Sequence, residues 1–397
     1  MPIPQPIYLD HAATTPLRPE ALEAMLPYLG GAFGNPSSAH APGRAARNAV
    51  DEARERLAAN LGGAAREVVV TSGGTEANNL AVKGAAWAGK ARGNRLVVSA
   101  VEHHAVGHSA EHLAKWGFDV AWAPVDAAGR VDPGALDALL DERTVLVAVM
   151  LANNEVGTIQ PIREIADRVR ARRGIHLHVD AVQAAPYLDL DVAALGADTV
   201  AISAHKFEGP KGVGALWVRR GTPLLAQLHG GSQERHRRAG TENVAGIVGM
   251  AAAYALACAA KPETRARLAE LRSRLQAACL AVPGVELTGH PAERLPGLLS
   301  LLVRGADGVA ASVALDLEGI ACSTGSACAT GSPEPSHVLT AMGVPDGEAL
   351  GALRLSLGRT TTAAEVDAAV ALVPPVLAAI RDGSAALAAD PLGTRIA

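Results

Sequence analysis

The sequence predicts an α/β protein, with a doubly wound, mostly parallel sheet in a large domain and a smaller α+β domain beside it. From about Val68 to Val218, short apolar runs rich in valine, leucine and isoleucine alternate with helix-like stretches. That is the pattern of strands covered on both faces by crossover helices. An alanine-rich stretch over residues 243–282 follows, and beyond it the regular alternation stops. At 397 residues the chain is long enough to build two cores.

Gly43 to Leu61 carries Ala, Val and Leu at helical spacing with Arg and Glu between them, an amphipathic helix that packs on the sheet layer. The predicted strands are Val68 to Thr71, Leu96 to Ser99, Val120 to Ala123, Val145 to Met150, Leu177 to Val179, Val200 to Ser203 and Val213 to Val218. Residues 243–282, interrupted at Lys261-Pro262, predict one or two connecting helices. Leu298 to Val303 and Ala352 to Ser356 are strand-like, whereas Val309 to Leu317 and Ala363 to Ile380 are helix-like. The stretch Asp382 to Ala397 has weak periodicity and is expected to fray. The domains are accordingly set at 15–260 for the large one, and at 1–14 with 261–397 for the small one.

Hydrophobic residues make up 49% of the chain and charged residues 19%, the balance of a soluble globular enzyme. A formal charge of -4 argues against nucleic acid as a partner, and Arg235, Arg237 and Arg238 form too short a run to suggest one. The amino terminus has neither a charged n-region nor an apolar h-region, and every apolar stretch is interrupted short of the ~18 residues a bilayer requires. A cytoplasmic protein without a membrane partner is the expectation. Four cysteines without a Cys-x-x-Cys pair fit a reducing compartment and predict no metal site.

Two residues suggest the chemistry. Asp180 closes the apolar run His176 to Val179, and Lys206 follows the run Thr199 to Ile202. Ligands of open α/β sheets gather at the carboxyl ends of such strands. A lysine to hold an aldehyde and a carboxylate to pair with a pyridinium nitrogen are what pyridoxal phosphate needs as an electron sink. Thr71-Ser-Gly73-Gly74-Thr75 follows a strand and opens a helix, where free N–H groups make an anion site. Next to such a lysine it reads as a phosphate cradle built from Gly74 and Thr75, with Ser203 and His205 completing it.

Further candidates sit at other strand ends. His103 and His104 follow the Leu96 to Ser99 run, where an imidazole stacks on a ring and moves protons. Asn153-Asn154 and Gln183 offer amides to a ring oxygen or a substrate carboxylate. Arg354 has the guanidinium for a bidentate carboxylate clamp. Cys258 and Cys279 lie in alanine-rich helical sequence and read as inert packing. Cys328 lies in a run of small residues, Ser323-Thr-Gly325-Ser-Ala-Cys328-Ala-Thr-Gly331, which suits an exposed thiol that travels. Cys322 is the weaker rival.

These segments together resemble one family. Tyr8-Leu-Asp-His-Ala-Ala-Thr-Thr15, Phe33-Gly-Asn-Pro-Ser-Ser38, Thr71-Ser-Gly-Gly-Thr-Glu-Ala-Asn-Asn79, Glu102-His-His104, Asn153-Asn-Glu-Val-Gly157, His178-Val-Asp-Ala-Val-Gln183, Ser203-Ala-His-Lys206, Arg238-Ala-Gly-Thr-Glu-Asn243 and Gly325-Ser-Ala-Cys328 are similar to those of cysteine desulfurases, in the class V aminotransferase group. The cysteine segment is similar to that of the branch with a long mobile loop. Two positions depart from the family pattern, His11 for the more usual Asn and Thr324 for Ser.

The resemblance implies PLP fold type I (PLP, pyridoxal phosphate), in which Lys206 holds the cofactor and later moves the substrate's α-proton, Asp180 pairs with the pyridine nitrogen, and His104 stacks on the ring. It implies Gln183 and Asn154 at the ring oxygen or substrate, with Thr75, Ser203 and His205 at the phosphate. Thr241 would reach the phosphate of a neighbouring subunit, which makes a homodimer. Arg354 and Asn154 would hold the carboxylate of L-cysteine, and Cys328 would take its sulfur as a persulfide for an acceptor protein, an iron-sulfur scaffold or a tRNA-thiolation enzyme. Selenocysteine lyase is the near alternative, and a sulfur-delivery platform dependent on a scaffold partner is the alternative of another class.

Overall fold

The structure is a computed structural model that describes residues 6–325 and 335–383. Cys328 and the stretch beyond Gly383 lie outside the described residues.

A short strand β1 (Ile7–Tyr8) precedes the main sheet, whose strands are β2 (Val68–Thr71), β3 (Arg95–Ser99), β4 (Asp119–Ala123), β5 (Thr144–Ala148), β6 (His176–Asp180), β7 (Thr199–Ser203) and β8 (Gly214–Val218). They lie in the order β2-β8-β7-β6-β5-β3-β4. Neighbours from β7 to β4 are parallel, and β8 alone runs against both β7 and β2. Strands β5, β6 and β7 are buried along their whole length, which is why they read as unbroken runs rather than alternating ones.

The helices around this sheet are α1 (Pro19–Leu29), α2 (Ala41–Leu61), α3 (Gly74–Gly89), α4 (His104–Ala114), α5 (Pro133–Ala138), α6 (Ile162–Arg170) and α7 (Val192–Leu195). Next comes α8 (Val244–Leu280), a single helix of 37 residues with Pro262 inside it, about 55 Å long. The sequence left one or two helices open here. Packing along the full length outweighs the one hydrogen bond a proline removes: Ile247, Met250 and Tyr254 enter the core under the main sheet, whereas Leu268, Leu271 and Leu275 enter a second core.

That second core is built on an antiparallel sheet of β9 (Val285–Leu287), β10 (Leu298–Val303) and β12 (Ala352–Ser356), with β11 (Ile320–Ala321) paired to β1. Helices α9 (Gly308–Leu317), α10 (His337–Ala341), α11 (Asp346–Ala349) and α12 (Ala363–Arg381) complete it. The amino-terminal segment joins this core through Leu9 and a bridge from Asp10 to Ser356, then continues toward the carboxyl ends of the main sheet.

One sequence expectation is corrected. Two helices, α8 and α12, contain windows long and apolar enough to cross a membrane, with mean hydropathy 1.6 and 1.7. Alanine raises hydropathy without bulk, so the interruptions by Gly, Pro and charge did not keep these windows below the threshold. The α8 window is 61% buried, as in the core helix of a globular protein, and α12 buries Val366, Ala369, Val373 and Leu377 on the second core.

Residues Glu234, Arg235 and His236 all have positive φ, at 47°, 58° and 64°, a conformation that costs free energy in non-glycine residues. A buried ion pair holds this turn: Arg54 on α2 donates to Glu234 at 2.6 and 2.8 Å, and the same carboxylate accepts from Val70 N at 3.0 Å. Removing one partner leaves a buried charge alone, so Arg54→Met is expected to lower the unfolding free energy by about 3–5 kcal/mol. Urea denaturation measures it, and a loss below about 1 kcal/mol would contradict the assignment.

Candidate active site at the carboxyl ends of the main sheet

Strand β6 ends at Asp180 because the carboxylate caps the next turn, with Val182 N donating to Oδ1 at 2.9 Å. Strand β7 ends at Ser203, and a short turn over Ala204–Lys206 presents Lys206 before the chain reverses into β8. The reversal keeps this connection at the carboxyl edge. Lys206 Nζ donates to the main-chain oxygens of Ala12 and, at 2.7 Å, Ala13.

A cavity of about 260 Å³ lies between these strand ends and the second core. Gly74, Thr75, His104, Asn154, Asp180, Gln183, Ser203, His205, Lys206 and Arg354 line it. The described residues assigned from the sequence to cofactor or substrate are therefore in one place, except Asn153, which is absent from this lining, and Thr241, which is exposed outside it. Cys328 lies outside the described residues.

Helix α3 begins at Gly74, pointing its free N–H groups at the cavity beside Ser203 and His205. A Cβ at position 74 would meet Val182 Cγ2 at 2.8 Å and Ser203 Cβ at 3.3 Å, so only glycine lets the helix start this close to the ligand. Asp180 is 5% exposed. Burial raises its pKa, opposed by the N–H groups of Val182 and Asn78 and by the Lys206 charge. An anion cradle, a buried carboxylate, a lysine amine and an imidazole in one cleft fit the phosphate, ring nitrogen, aldehyde and ring face of pyridoxal phosphate.

Gln183 donates to Ala12 O at 2.9 Å, and His205 Nδ1 lies 3.2 Å from Thr14 Oγ1. The amino-terminal segment thus packs against both. Asn153 is a turn residue: its amide donates to Val101 O and its oxygen accepts from Glu155 N and Val156 N. Asn154 faces the cavity instead, and its carbonyl accepts from Arg354 at 2.8 Å. Arg354 is 2% exposed, lines the cavity and also binds Asp10 at 2.9 Å. A guanidinium fixed in a cavity wall by a carboxylate and a carbonyl is suited to receive a small carboxylate.

Sequence reasoning missed several residues. Asn78, one turn into α3, donates to Asp180 Oδ2 at 2.6 Å. His337, at the start of α10, stands 4.8 Å from the His104 ring and donates to Glu102 O at 2.9 Å. His108 stacks on His104 at 4.6 Å. Burial and these neighbouring imidazoles hold His104 below its ordinary pKa. Glu102, beneath the floor, is pushed up to about 8 by burial and by Asp180. The His-x-His-x-Asp alternation of β6 was the available signal for a polar face, hidden inside a run read as apolar.

His11 is buried outside the cavity lining, edge-on to Tyr8 at 4.9 Å and tight against Gly358. Its departure from the family pattern therefore concerns packing. Of the described cysteines, burial pushes Cys322 and Cys279 up to about 12, so neither supplies a thiolate near neutral pH.

Two measurements follow from this geometry. Gly74→Ala is expected to weaken pyridoxal phosphate binding by roughly tenfold or more, read by titrating the cofactor into cofactor-free protein; unchanged affinity would remove the cradle. His11, His176, His178 and His205 have pKa values lowered from 6.5 to about 4, 4, 3 and 4. The unfolded chain then binds more protons in this window, so cofactor-free protein is expected to lose stability as pH falls from 6.5 toward 4. Urea midpoints across that range measure the slope, and flat midpoints would contradict it.

Comparison with known proteins agrees with the site. The class-V aminotransferase family model matches residues 7–369. A cysteine desulfurase IscS of Methanosarcina thermophila is 46% identical over 378 residues, covering 95% of this chain and 93% of that protein. An IscS-like cysteine desulfurase of Mycobacterium tuberculosis is 47% identical over 390 residues, 96% and 98% of the two chains. The solved structure of a NifS-like protein superposes with a TM-score of 0.89 at 37% identity, covering 94% of this chain and 99% of that one. With the cofactor cradle, the lysine and the carboxylate in place, this chain belongs to the class-V aminotransferase family and, within it, to the pyridoxal phosphate-dependent cysteine desulfurases.

Proposed function

We propose that this enzyme takes the sulfur of L-cysteine onto Cys328 as a persulfide, releases L-alanine, and passes the sulfur to an acceptor protein. The observation that carries the reading is Arg354 lining the same cavity as Lys206 and Asp180, a guanidinium for an amino acid's carboxylate beside the amine and carboxylate that fit the cofactor.

When bound, pyridoxal phosphate supplies an electron sink that acidifies the hydrogens on the substrate's Cα and then Cβ. Arg354 and Asn154 hold the substrate carboxylate. Lys206 holds the cofactor at rest; displaced by the substrate amine, its Nζ takes the Cα proton. Asp180 would hold a proton on the pyridine nitrogen, and Gln183 would serve the ring oxygen. Thr75, Ser203 and His205 would take the phosphate with the α3 amides. His104 would cover the ring, and its lowered pKa favours the neutral imidazole, ready to accept a proton.

The Cys328 thiolate attacks the substrate sulfur. The S–S bond forms as the Cβ–S bond breaks, the electron pair stays on Cβ, and protonation there gives alanine. One thiol and one cysteine become one persulfide and one alanine, so no outside oxidant enters. Cys322 and Cys279, with burial pushing both up to about 12, are poor candidates for this attack.

We also propose a homodimer. Leu22, Leu26 and Leu29 on α1 are exposed, and Phe33 is 82% exposed, an apolar face beside the amino end of α8 that Thr241 precedes. In such a dimer Thr241 serves the neighbour's phosphate.

Lys206→Ala is expected to cut turnover of L-cysteine by at least about a hundredfold, measured as alanine release. Cys328→Ser is expected to bind L-cysteine yet form no persulfide, scored by mass spectrometry after alkylation; undiminished persulfide in that variant rules out Cys328. Mixing Lys206→Ala with Thr241→Ala chains is expected to restore activity through one complete site per mixed dimer, and no recovery would place Thr241 in its own subunit's site or nowhere near one.

A further inference from the structure

The hydrogen bonds behind Asp180 all point the same way. On β6, His176, His178 and Asp180 share one face, while Leu177 and Val179 turn to the apolar core. Asn78 donates from Nδ2 to Asp180 Oδ2 at 2.6 Å. Its Oδ1 therefore faces away from the carboxylate and can only accept, and the group in contact with it at 3.0 Å is His178 Nε2. That nitrogen must carry the proton. Burial lowers His178 to about 3, so the ring is neutral and its Nδ1 is bare. Thr199 Oγ1, 2.9 Å away on the paired strand β7, donates to Nδ1 and accepts from His176 Nε2 at 2.8 Å. Along β6 and β7 and into α3, each donor in this arrangement points toward Asp180.

We propose that His178 is a positioning residue: by donating to Asn78 Oδ1 it locks the Asn78 amide with its N–H on Asp180, and so holds that carboxylate charged against the cofactor's ring nitrogen. This rests on the reading that Asp180 meets that nitrogen. The alternative amide orientation would set Asn78 Oδ1 against the carboxylate, which only a protonated Asp180 tolerates. The charged and titratable groups facing Asp180 are Lys206, from the turn after β7, and Glu102, from the end of β3.

Glu102 supplies the internal contrast. It is also fully buried; its Oε1 accepts from Met150 N at 2.6 Å, and the charge it meets is that of Asp180 and not a cation. Burial raises both carboxyls; of the two, Asp180 is the one faced by the Lys206 charge and backed by the Asn78 amide, which favour its ionised form. Thr199 suits the required tautomer of His178: with Nδ1 bare its hydroxyl donates there, while its oxygen takes the His176 N–H.

Two measurements test this. Histidine labelled with 15N in the full chain, with and without cofactor, is expected to show His178 as the neutral Nε2-protonated tautomer between about pH 5 and pH 8; an Nδ1-protonated or cationic ring overturns the proposal. In the holoenzyme, His178→Phe removes the donor, whereas His178→Gln keeps one. The Phe variant is expected to shift the pH midpoint of the cofactor's absorbance and to lower kcat by roughly tenfold, with KM within about twofold. The Gln variant is expected to recover most of both. Equal impairment of the two variants, or a wild-type midpoint in both, overturns the proposal. Should the Phe variant not fold, the tautomer and the Gln variant still decide. Asp180→Asn separates the readings: if it leaves cofactor spectrum and affinity unchanged, the pairing of Asp180 with the ring nitrogen fails, while the tautomer in cofactor-free protein still reports on the chain.

Discussion

A charged carboxylate kept in a dry site is the constraint on which the rest of this structure depends. Asp180 sits on a strand buried on both faces, where desolvation favours the neutral acid. A neutral acid there would not hold a proton on a pyridine nitrogen, and the electron sink would be lost. The surrounding residues answer that penalty. The Val182 amide and the Asn78 side chain donate to it, Lys206 faces it with a positive charge, and His178 orients Asn78. Glu102, without such a set of donors, lies a short distance away and is held well above the ordinary carboxylate range.

The topology brings these groups together. Parallel strands from β4 to β7 deliver their carboxyl ends to one edge, and the reversed β8 returns the chain so that Lys206 stays there. The second core closes the cavity from above by two ties. One is α8, which contributes side chains to both cores. The other is the amino-terminal segment, which pairs with β11 at Ile7 and then offers the carbonyls of Ala12 and Ala13 to Lys206. Arg354 joins the two as well, bonded to Asp10 and to the carbonyl of Asn154. Residues that hold the cofactor and residues that hold the substrate are thus separate in sequence and mechanically linked.

Much of this was legible in the sequence because the chemistry lies at strand ends. A polar residue that interrupts a run such as Thr199 to Ile202 announces both the end of the strand and the place where a ligand sits. Lys206, Asp180, Ser203 and Gly74 were found that way. Asn78 and His337 escaped it: one lies a turn inside a helix, the other begins a short helix far along the chain, and each has meaning only through what it touches. The polar face of β6 escaped for another reason. Full burial turned His176 and His178 into apparent members of an apolar run, although their spacing of two from Asp180 placed all three on one side.

The sequence by itself indicated the fold class and the cofactor, from which residue types end which strands, and the reaction through its resemblance to the cysteine desulfurases. Tertiary structure alone decided how those residues act together. That α8 is one helix, that Asn153 is a turn residue while Asn154 faces the cavity, that His11 packs against Gly358, and that Thr241 lies outside the lining all depend on contacts between segments distant in the chain. So does the electrostatic balance at Asp180. The penalty for burying a charge, and the donors that offset it, arise only once α3, β6 and β7 have been brought side by side.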